Sequence, residues 1–345
     1  MTAIRSRRAV VAALLLGAMA AAVLLLAARR APAATEAPAA PPRDQASITG
    51  PAVQAQMENV DYRILSSATL NIRRLRGELH SKRPGKPPVF DDKNSFVMKI
   101  HSAEIAMTQE SMTGLFNDHV FAYPGSPLEK IELQISRDGI VQKGVLRKAL
   151  KARFVITASV TLTPKGEIRV HPTKVKVAGI SVGGLMKVFG LELDRLLTLK
   201  QDRGVRIEGN DFVITPDRML PPPQIDGTVT ELQLEPGRMV LTFDSPGKPR
   251  PAPLSPPSKG VPNYMYYQGG TLCFGKLTMK GTELEIVDAD PSDRFDFFLD
   301  HYNEQLVAGY DQNLPDGGLI VHMPDFDKLG RQASNRPRVA SLTPP

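Results

Sequence analysis

The sequence has few of the residues that usually carry chemistry. It contains one cysteine, Cys273, no tryptophan and six histidines in 345 residues. A single thiol excludes an intrachain disulfide and any zinc site built on two thiolates. Aromatic residues make up only 6% of the chain, so a stacking platform for nucleic-acid bases is disfavoured. The remaining composition, 42% hydrophobic and 23% charged, is that of a globular protein with a sizeable core.

Motifs for catalysis, metal binding and phosphate binding are also missing. The histidines do not form an H-E-x-x-H pattern, and the chain has no G-x-S-x-G, G-x-x-x-x-G-K or G-x-G-x-x-G motif. Cys273 lies between Leu272 and Phe274, where a small strand residue is expected rather than a nucleophile. We therefore predict a non-enzymatic protein without catalytic residues, metal centre or cofactor.

One acidic segment, Glu285–Asp293, needs separate consideration. Its D-x-D pattern resembles the nucleophile motif of haloacid dehalogenase-type phosphotransferases, but the chain ends too soon for the βαβ sheet of such an enzyme. Its aspartates at 288, 290 and 293 also supply oxygen atoms of the kind that bind calcium, without the glycine and glutamate of an EF-hand loop. Capping of a following helix is the favoured interpretation.

The N-terminus predicts export. Three arginines within residues 5–8 precede an uncharged run of 20 residues, 9–28, and two arginines follow at 29–30. This length matches a helix that crosses a bilayer. Small residues at 31–34 also allow a cleavable signal peptide. We expect a periplasmic protein tethered to the inner membrane by residues 1–30, or released into the periplasm if that segment is cut.

Charge is distributed unevenly along the chain. The net charge is +7, but five arginines lie in the first 30 residues, and the rest carries only +2, so no nucleic-acid partner is expected. Residues 137–176 nevertheless carry a local +8. Such a run is either a solvated face or a surface for anionic lipid head groups. The head-group candidates are Arg147, Lys148, Lys151 and Arg153.

The predicted fold class is α+β and mostly β: a long twisted antiparallel sheet curled around one or two helices, with a C-terminal strand-helix-strand extension. Composition suggests six segments along the chain. These are the signal segment 1–30, a disordered Ala/Pro linker 31–53, a β domain 54–244, a Pro-rich linker 245–262, the β/α extension 263–329 and a disordered tail 330–345.

A period of two dominates the β domain. Apolar residues occupy almost every even position of 146–162, which predicts one strand of 17 residues with one apolar face. Turns are expected at 137–139, 164–166 and 235–237, because these segments contain glycine or proline with polar neighbours. Further strands are predicted at 62–79 and 96–107, and a bulge or a sheet edge is predicted at His171 and Pro172.

Three helices are predicted from helical spacing of apolar residues. The first covers Thr108–Phe121 with Thr108 as its N-cap, the second 183–199, and the third Ser292–Ala308 with acidic residues in its first turn.

This order of elements over residues 97–245 resembles the bacterial branch of the tubular lipid-binding (TULIP-like) superfamily, nearest to the LmeA-type phospholipid-binding envelope proteins. A strand runs into a helix at Thr108, and the Asp138-Gly139 turn, the long alternating strand and the turn at Lys165-Gly166 follow. The resemblance implies a sheet curled around a helix, an apolar groove for acyl chains, and no catalytic residues.

Carried onto this chain, the resemblance implies a set of groove residues, Leu150, Phe154, Ile156, Val160, Leu162, Phe189 and Leu193. The expected function is binding or transfer of a phospholipid or other amphiphile, with the inner membrane and another envelope protein as further partners. Two alternatives remain open at this point. The same residues also fit a filled core, and the chain also fits an envelope scaffold that acts through protein contacts.

Overall fold

Alternating apolar and polar residues produce two large sheets in the computed structural model, which describes residues 52–147, 151–178, 180–181, 203–245, 247 and 249–329. The strands of the first half are β1 (Val53–Leu65), β2 (Ala68–Ser81), β3 (Phe96–Thr108), β4 (Leu128–Ser136), β5 (Gly139–Arg147), β6 (Lys151–Leu162), β7 (Ile168–Val177) and β8 (Ile180–Ser181). The later strands are β9 (Val205–Glu208), β10 (Asp211–Ile214), β11 (Gln224–Asp226), β12 (Thr228–Glu235), β13 (Arg238–Asp244), β14 (Tyr264–Gln268), β15 (Thr271–Phe274), β16 (Leu277–Lys280), β17 (Glu283–Asp288), β18 (Phe295–Phe298), β19 (Tyr310–Asn313) and β20 (Leu319–Met323).

The helices of the described residues are short. They are α1 (Gln109–Leu115), which continues as a π turn (Phe116–Val120), α2 (Pro216–Met219) and α3 (Tyr302–Ala308), together with 3-10 turns at Leu299–His301 and Phe326–Lys328. This content confirms the predicted α+β, mostly β class.

The strands form one large sheet, a second sheet and a small hairpin. The large sheet has the order β12-β13-β3-β2-β1-β14-β17-β20-β19, with β11 added beside β3 and β18 beside β1. The second sheet has the order β4-β5-β6-β7-β10-β9, with β8 beside β7, and β15 pairs with β16. Buried apolar residues from both sheets form one cluster, so the core lies between them.

Predicted turns that contain glycine are confirmed. The Asp138-Gly139 turn joins β4 to β5, Lys165-Gly166 lies between β6 and β7, and Pro236-Gly237 lies between β12 and β13. The bulge is confirmed too, because the register between β6 and β7 shifts opposite Pro172. Thr108 caps α1 as expected, since its hydroxyl accepts a hydrogen bond from the Ser111 N–H at 3.2 Å.

The single strand predicted over 146–162 is wrong. The structure has two strands, β5 and β6, that form a hairpin in which Leu146 lies opposite Ala152 and Arg147 opposite Lys151. Opposed residues lie on the same face of a sheet. Because this register pairs even positions with even positions, most apolar residues of 146–162 occupy even positions, and the sequence resembles one alternating strand that only Lys148 interrupts at an even position.

The same cause explains the wrong strand predicted over 62–79. The chain turns at Ser66-Ser67, and Tyr62 on β1 lies opposite Leu70 on β2. Up to Arg63 even positions again face even positions, and a register shift next to the turn then places Leu65 opposite Ala68.

The third predicted helix is correct only in its second half. Residues 302–308 are α3, but Phe295–Phe298 is the strand β18, which runs parallel to β1. Two contacts explain the outcome. Arg63 donates two hydrogen bonds to the Asp296 carboxylate, at 2.6 and 2.7 Å, and the rings of Phe295 and Phe297 are fully buried. Tertiary pairing here overrides a helical spacing of aromatic residues.

The predicted helix over 183–199 lies outside the described residues, as do the predicted signal segment 1–30 and the tail 330–345.

The Pro-rich segment, residues 245–262, connects two parts of one sheet, because β1–β3 and β14 all belong to the large sheet. It crosses that sheet over a row of four directly opposed residues, one on each of four adjacent strands: Arg76, Gln56, Tyr266 and Glu285. Three members of the row contact the segment in chain order, through the Pro251 carbonyl, the Leu254 backbone and the Ser258 N–H. The segment therefore lies across the strands and covers the outer face of the sheet.

Candidate functional site: an apolar cavity between the sheets

An apolar cavity lies between the two sheets. Its volume is about 140 Å³, within a wider space of about 1650 Å³ that is partly open to solvent, and 37 of the described residues line it. Strands of the large sheet contribute residues such as Ile72, Ile100 and Ile105, and strands of the second sheet contribute Leu133 and Ile140. The alternation of each strand explains this composition, since every second side chain points to the space between the sheets.

The cavity wall formed by the described residues is almost free of polar groups. None of these residues is charged, and their polar side-chain groups are the Gln142 amide and the hydroxyls of Tyr62 and Tyr267. Burial raises the pKa of both tyrosines, so both hydroxyls are neutral across the physiological range. The described part of the wall is therefore almost entirely apolar.

One part of the wall is built by the π turn after α1. The Phe121 N–H donates to the Phe116 carbonyl at 2.8 Å, and both rings line the cavity with their centroids 5.8 Å apart. The Asn117 amide ties this turn to β4, because it accepts from the Ile131 N–H and donates to the Ile131 carbonyl, both at 2.8 Å. Turns of this kind occur often at functional sites.

A cation lies beside this part of the wall. The Arg203 guanidinium donates from Nη1 to the carbonyl of His119 at 3.1 Å, and His119 belongs to the π turn. Burial and the neighbouring Arg203 charge lower the pKa of His119, so its ring is neutral at pH 7.

The chain closes tightly behind Arg203. Gly204 has a φ of +72°, and a Cβ there would lie 2.4 Å from the Met219 nitrogen of α2. Only glycine fits such a close approach with positive φ. Val205 and Met219 next to this contact both line the cavity.

Structure places the predicted groove residues near the cavity rather than on its wall. Phe154 and Ile156 are buried, and Val160 and Leu162 are half-buried, but none of the four lines the cavity. Their neighbours on the same face of the second sheet do line it: Ile140, Gln142, Ile168 and Val170. The predicted residues Leu150, Phe189 and Leu193 lie outside the described residues.

Phe154 stays off the wall because Gly144 lies opposite it. A Cβ on Gly144 would stand 2.7 Å from Cζ of the Phe154 ring, so the ring occupies the space that a side chain on β5 would otherwise take.

The predicted head-group residues are partly paired. Arg147 and Lys151 both contact the Glu129 carboxylate, at 3.2 and 3.4 Å, and Arg153 is exposed. Lys148 lies outside the described residues. Two of the four cations are thus partly neutralised by one acid.

The acidic segment does not cap a helix, which corrects the favoured interpretation. Asp290 accepts hydrogen bonds from Ser292 within a turn that leads into β18. Carboxylates of Asp288, Asp293 and Asp325 come within 4.8 Å of one another. The Lys328 ammonium contacts Asp293 at 2.9 Å and Asp325 at 2.7 Å, so a side chain of the protein already supplies a cation to this cluster.

A second titratable cluster, which the sequence did not reveal, lies on β2 and β3. Glu78 contacts Nε2 of His80 at 2.8 Å and Nε2 of His101 at 3.1 Å, and it accepts from the Gln54 amide at 3.0 Å. Burial acts to raise the pKa of Glu78, but these hydrogen bonds outweigh it and lower that pKa to about 2.

Comparison of the chain with protein-family models, with curated proteins and with solved structures finds no match. Among the described residues, no helix is both long enough and apolar enough to cross a membrane.

Proposed function

We propose that this chain binds an amphiphile and holds its hydrocarbon chains in the cavity between the two sheets. The observation that supports the proposal is the wall itself, to which both sheets contribute and in which none of the 37 residues is charged. Burial of hydrocarbon contributes about 0.8 kcal/mol per methylene, so roughly a dozen methylenes supply on the order of 10 kcal/mol before ordering costs.

The proposal includes a cellular setting. The N-terminal sequence has arginines on both sides of an uncharged run, which supports a periplasmic protein tethered to the inner membrane. The membrane would supply the amphiphile. The exposed basic residue Arg153 and its neighbours on the second sheet would then face anionic lipid surfaces. No chemical step is proposed, and the role is carriage or presentation of a lipid.

The test is native mass spectrometry of the full chain, purified from a periplasmic expression, followed by organic extraction. We expect a lipid at one equivalent or more. Ala106→Phe places a ring in the cavity, because Ala106 is a half-buried strand residue on its wall, and it should abolish lipid retention. Ala152→Phe is the matched control, since Ala152 is a half-buried strand residue that does not line the cavity.

Two results would contradict the proposal. The first is a folded protein that stays empty after incubation with envelope lipids, which would favour a scaffold role. The second is equal lipid retention by the wild type and Ala106→Phe.

A further inference from the structure

The outer face of the second sheet carries cations next to apolar residues. Val155 on β6 lies directly opposite Lys143 on β5 and Lys176 on β7, so these residues form one row across three strands. Side chains alternate between the two faces of a strand, and Phe154 and Ile156, on either side of Val155, are buried. The row therefore points away from the core.

The adjacent rows add two more cations. Arg153 lies opposite Val145, and Lys174 lies opposite Thr157. The side chains of Arg153, Lys174 and Lys176 are exposed, and the two valines of these rows are half-buried. We call this surface the basic patch, which consists of Lys143, Val145, Arg153, Val155, Lys174 and Lys176.

Ion pairs border the basic patch. Lys143 contacts the Glu132 carboxylate of β4 at 3.3 Å, and Arg169, nearer the start of β7, contacts the Asp211 carboxylate at 2.7 Å. Residues 137–176 together nevertheless carry a net charge of +8. This face of the second sheet is therefore positively charged.

Cations mixed with valines suit an anionic bilayer. Basic side chains are attracted to anionic head groups, and apolar side chains between them contact the boundary between head groups and acyl chains. A nucleic acid or another soluble polyanion offers phosphates to the cations but no counterpart to the valines. The composition of the basic patch therefore favours a lipid surface as its partner.

The same sheet carries part of the cavity wall on its other face. Gln142 on β5 lines the cavity, and the next residue, Lys143, belongs to the basic patch. One sheet therefore separates the cavity from this charged surface.

We propose that the basic patch docks the second sheet on an anionic bilayer, so that the partner of this surface is a membrane with phosphate head groups. This inference rests on the proposed function, because it names the membrane surface with which the carrier exchanges its ligand. Docking on this face brings the cavity to within one sheet of the lipids.

The test is lysine acetylation of the full chain in vesicles, because a lysine that contacts head groups is protected from a neutral, water-soluble reagent. The vesicles contain phosphatidylcholine alone or with about one third phosphatidylglycerol, and mass spectrometry reads the acetylation of each lysine. We expect Lys174 and Lys176 to react about fivefold more slowly in the anionic vesicles. Lys276, an exposed lysine between β15 and β16, should react at the same rate in both.

Three variants identify the cause of the protection. Arg153→Glu reverses one charge of the basic patch and should restore most of the reactivity of the two lysines. Arg218→Glu is the matched control, since Arg218 is an exposed arginine on α2, and it should leave the protection unchanged. Val155→Thr keeps the shape of the side chain but adds a hydroxyl, and it should reduce the protection about twofold.

Different failures have different meanings. Equal acetylation of Lys174 and Lys176 in the two kinds of vesicle would overturn the docking surface, while a lipid in the native mass spectrum would still support the proposed function. Protection of both lysines in a protein that retains no lipid would overturn the proposed function alone. Protection by soluble polyphosphate as strong as that by the vesicles would overturn the bilayer as the partner and identify a soluble polyanion instead.

Discussion

The side chain of Gln56 holds the backbone of Leu254 at two points. Its Oε1 accepts from the Leu254 N–H at 2.9 Å, and its Nε2 donates to the Leu254 carbonyl at 3.4 Å and to the Tyr264 hydroxyl at 2.6 Å. Gln56 itself is 3% exposed. One buried amide on β1 thus fixes the middle of the Pro-rich segment to the outer face of the large sheet.

Gln56→Leu should therefore loosen the Pro-rich segment. Loss of the hydrogen bond to the Leu254 N–H should lower the free energy of local opening by about 1 kcal/mol. Hydrogen exchange of that amide should therefore become several-fold faster. Hydrogen exchange read by mass spectrometry measures it. Gln54→Leu is the control, because Gln54 bonds Glu78 instead. Unchanged exchange at Leu254 would show that the amide does not hold the segment.

Glu285 should make the stability of the protein depend on pH. The residue is fully buried, its Oε2 accepts from the Ser258 N–H at 2.9 Å, and its Oε1 has no partner among the described residues. Burial raises its pKa, so folding favours the neutral form. The stability that the neutral form contributes is present below the ordinary glutamate pKa and is lost as pH rises through the raised value.

Glu285→Gln removes this dependence. We expect a free energy of unfolding about 1–2 kcal/mol above the wild type at pH 8. At pH 4 little difference is expected, because the carboxyl is then largely protonated in both states. Urea unfolding at the two pH values measures the change, with Glu283→Gln as a neighbouring control that is half-buried. A gain of the same size at both pH values would contradict the explanation.

Gly144 and Phe154 should be energetically coupled. A methyl group at Gly144 would stand 2.7 Å from the Phe154 ring and 3.0 Å from the Ile131 side chain, so Gly144→Ala should destabilise the fold by about 1–3 kcal/mol. In a Phe154→Leu background the loss should be smaller. Urea unfolding of both single variants and the double variant gives the coupling. Strict additivity of the two changes would mean that the ring does not occupy this space.

Lys328 should stabilise the fold most at neutral pH. Its ammonium contacts Asp290 and Asp293 at 2.9 Å and the almost fully buried Asp325 at 2.7 Å. Lys328→Met leaves these carboxylates unpaired, which should cost roughly 1–3 kcal/mol at pH 7.5. The loss should shrink toward pH 4.

Thermal unfolding at both pH values tests this expectation. Lys93→Met is the control, since Lys93 pairs with the exposed Asp300 and should change stability little. A loss that does not depend on pH would indicate lost packing instead of unpaired charge.

Turns were predictable from the sequence where they contain a glycine with a positive φ. Gly139 has a φ of +148° and Gly237 a φ of +81°, which other residues rarely adopt, and both hairpins were predicted. The turn at Ser66-Ser67 contains neither glycine nor proline, and neither do residues 148–150, which separate β5 from β6 in the sequence. In both hairpins the register keeps even positions opposite even positions, apart from a shift that places Leu65 opposite Ala68, so the pattern of apolar residues does not indicate where the first strand ends.

The cavity was only partly predictable. Alternation correctly indicated an apolar face on the second sheet, but a filled interior and an open one require the same alternation. The identity of the lining residues depends on pairs such as Gly144 and Phe154. In this pair the residue on one strand has no side chain, and the ring from the neighbouring strand fills its space. Arg203 and His119 meet across 84 residues of chain, and no local pattern signals such a contact.

The central strand of the large sheet has a further consequence for how the protein is made. β1 is the first described strand along the chain, yet it pairs with β14 and β18, and Gln56 lies 208 residues before its contact Tyr264. Closing such long loops carries an entropic cost before any contact compensates for it, and folding is correspondingly slow. The middle of this sheet therefore stays unfinished until nearly the whole chain has been synthesised.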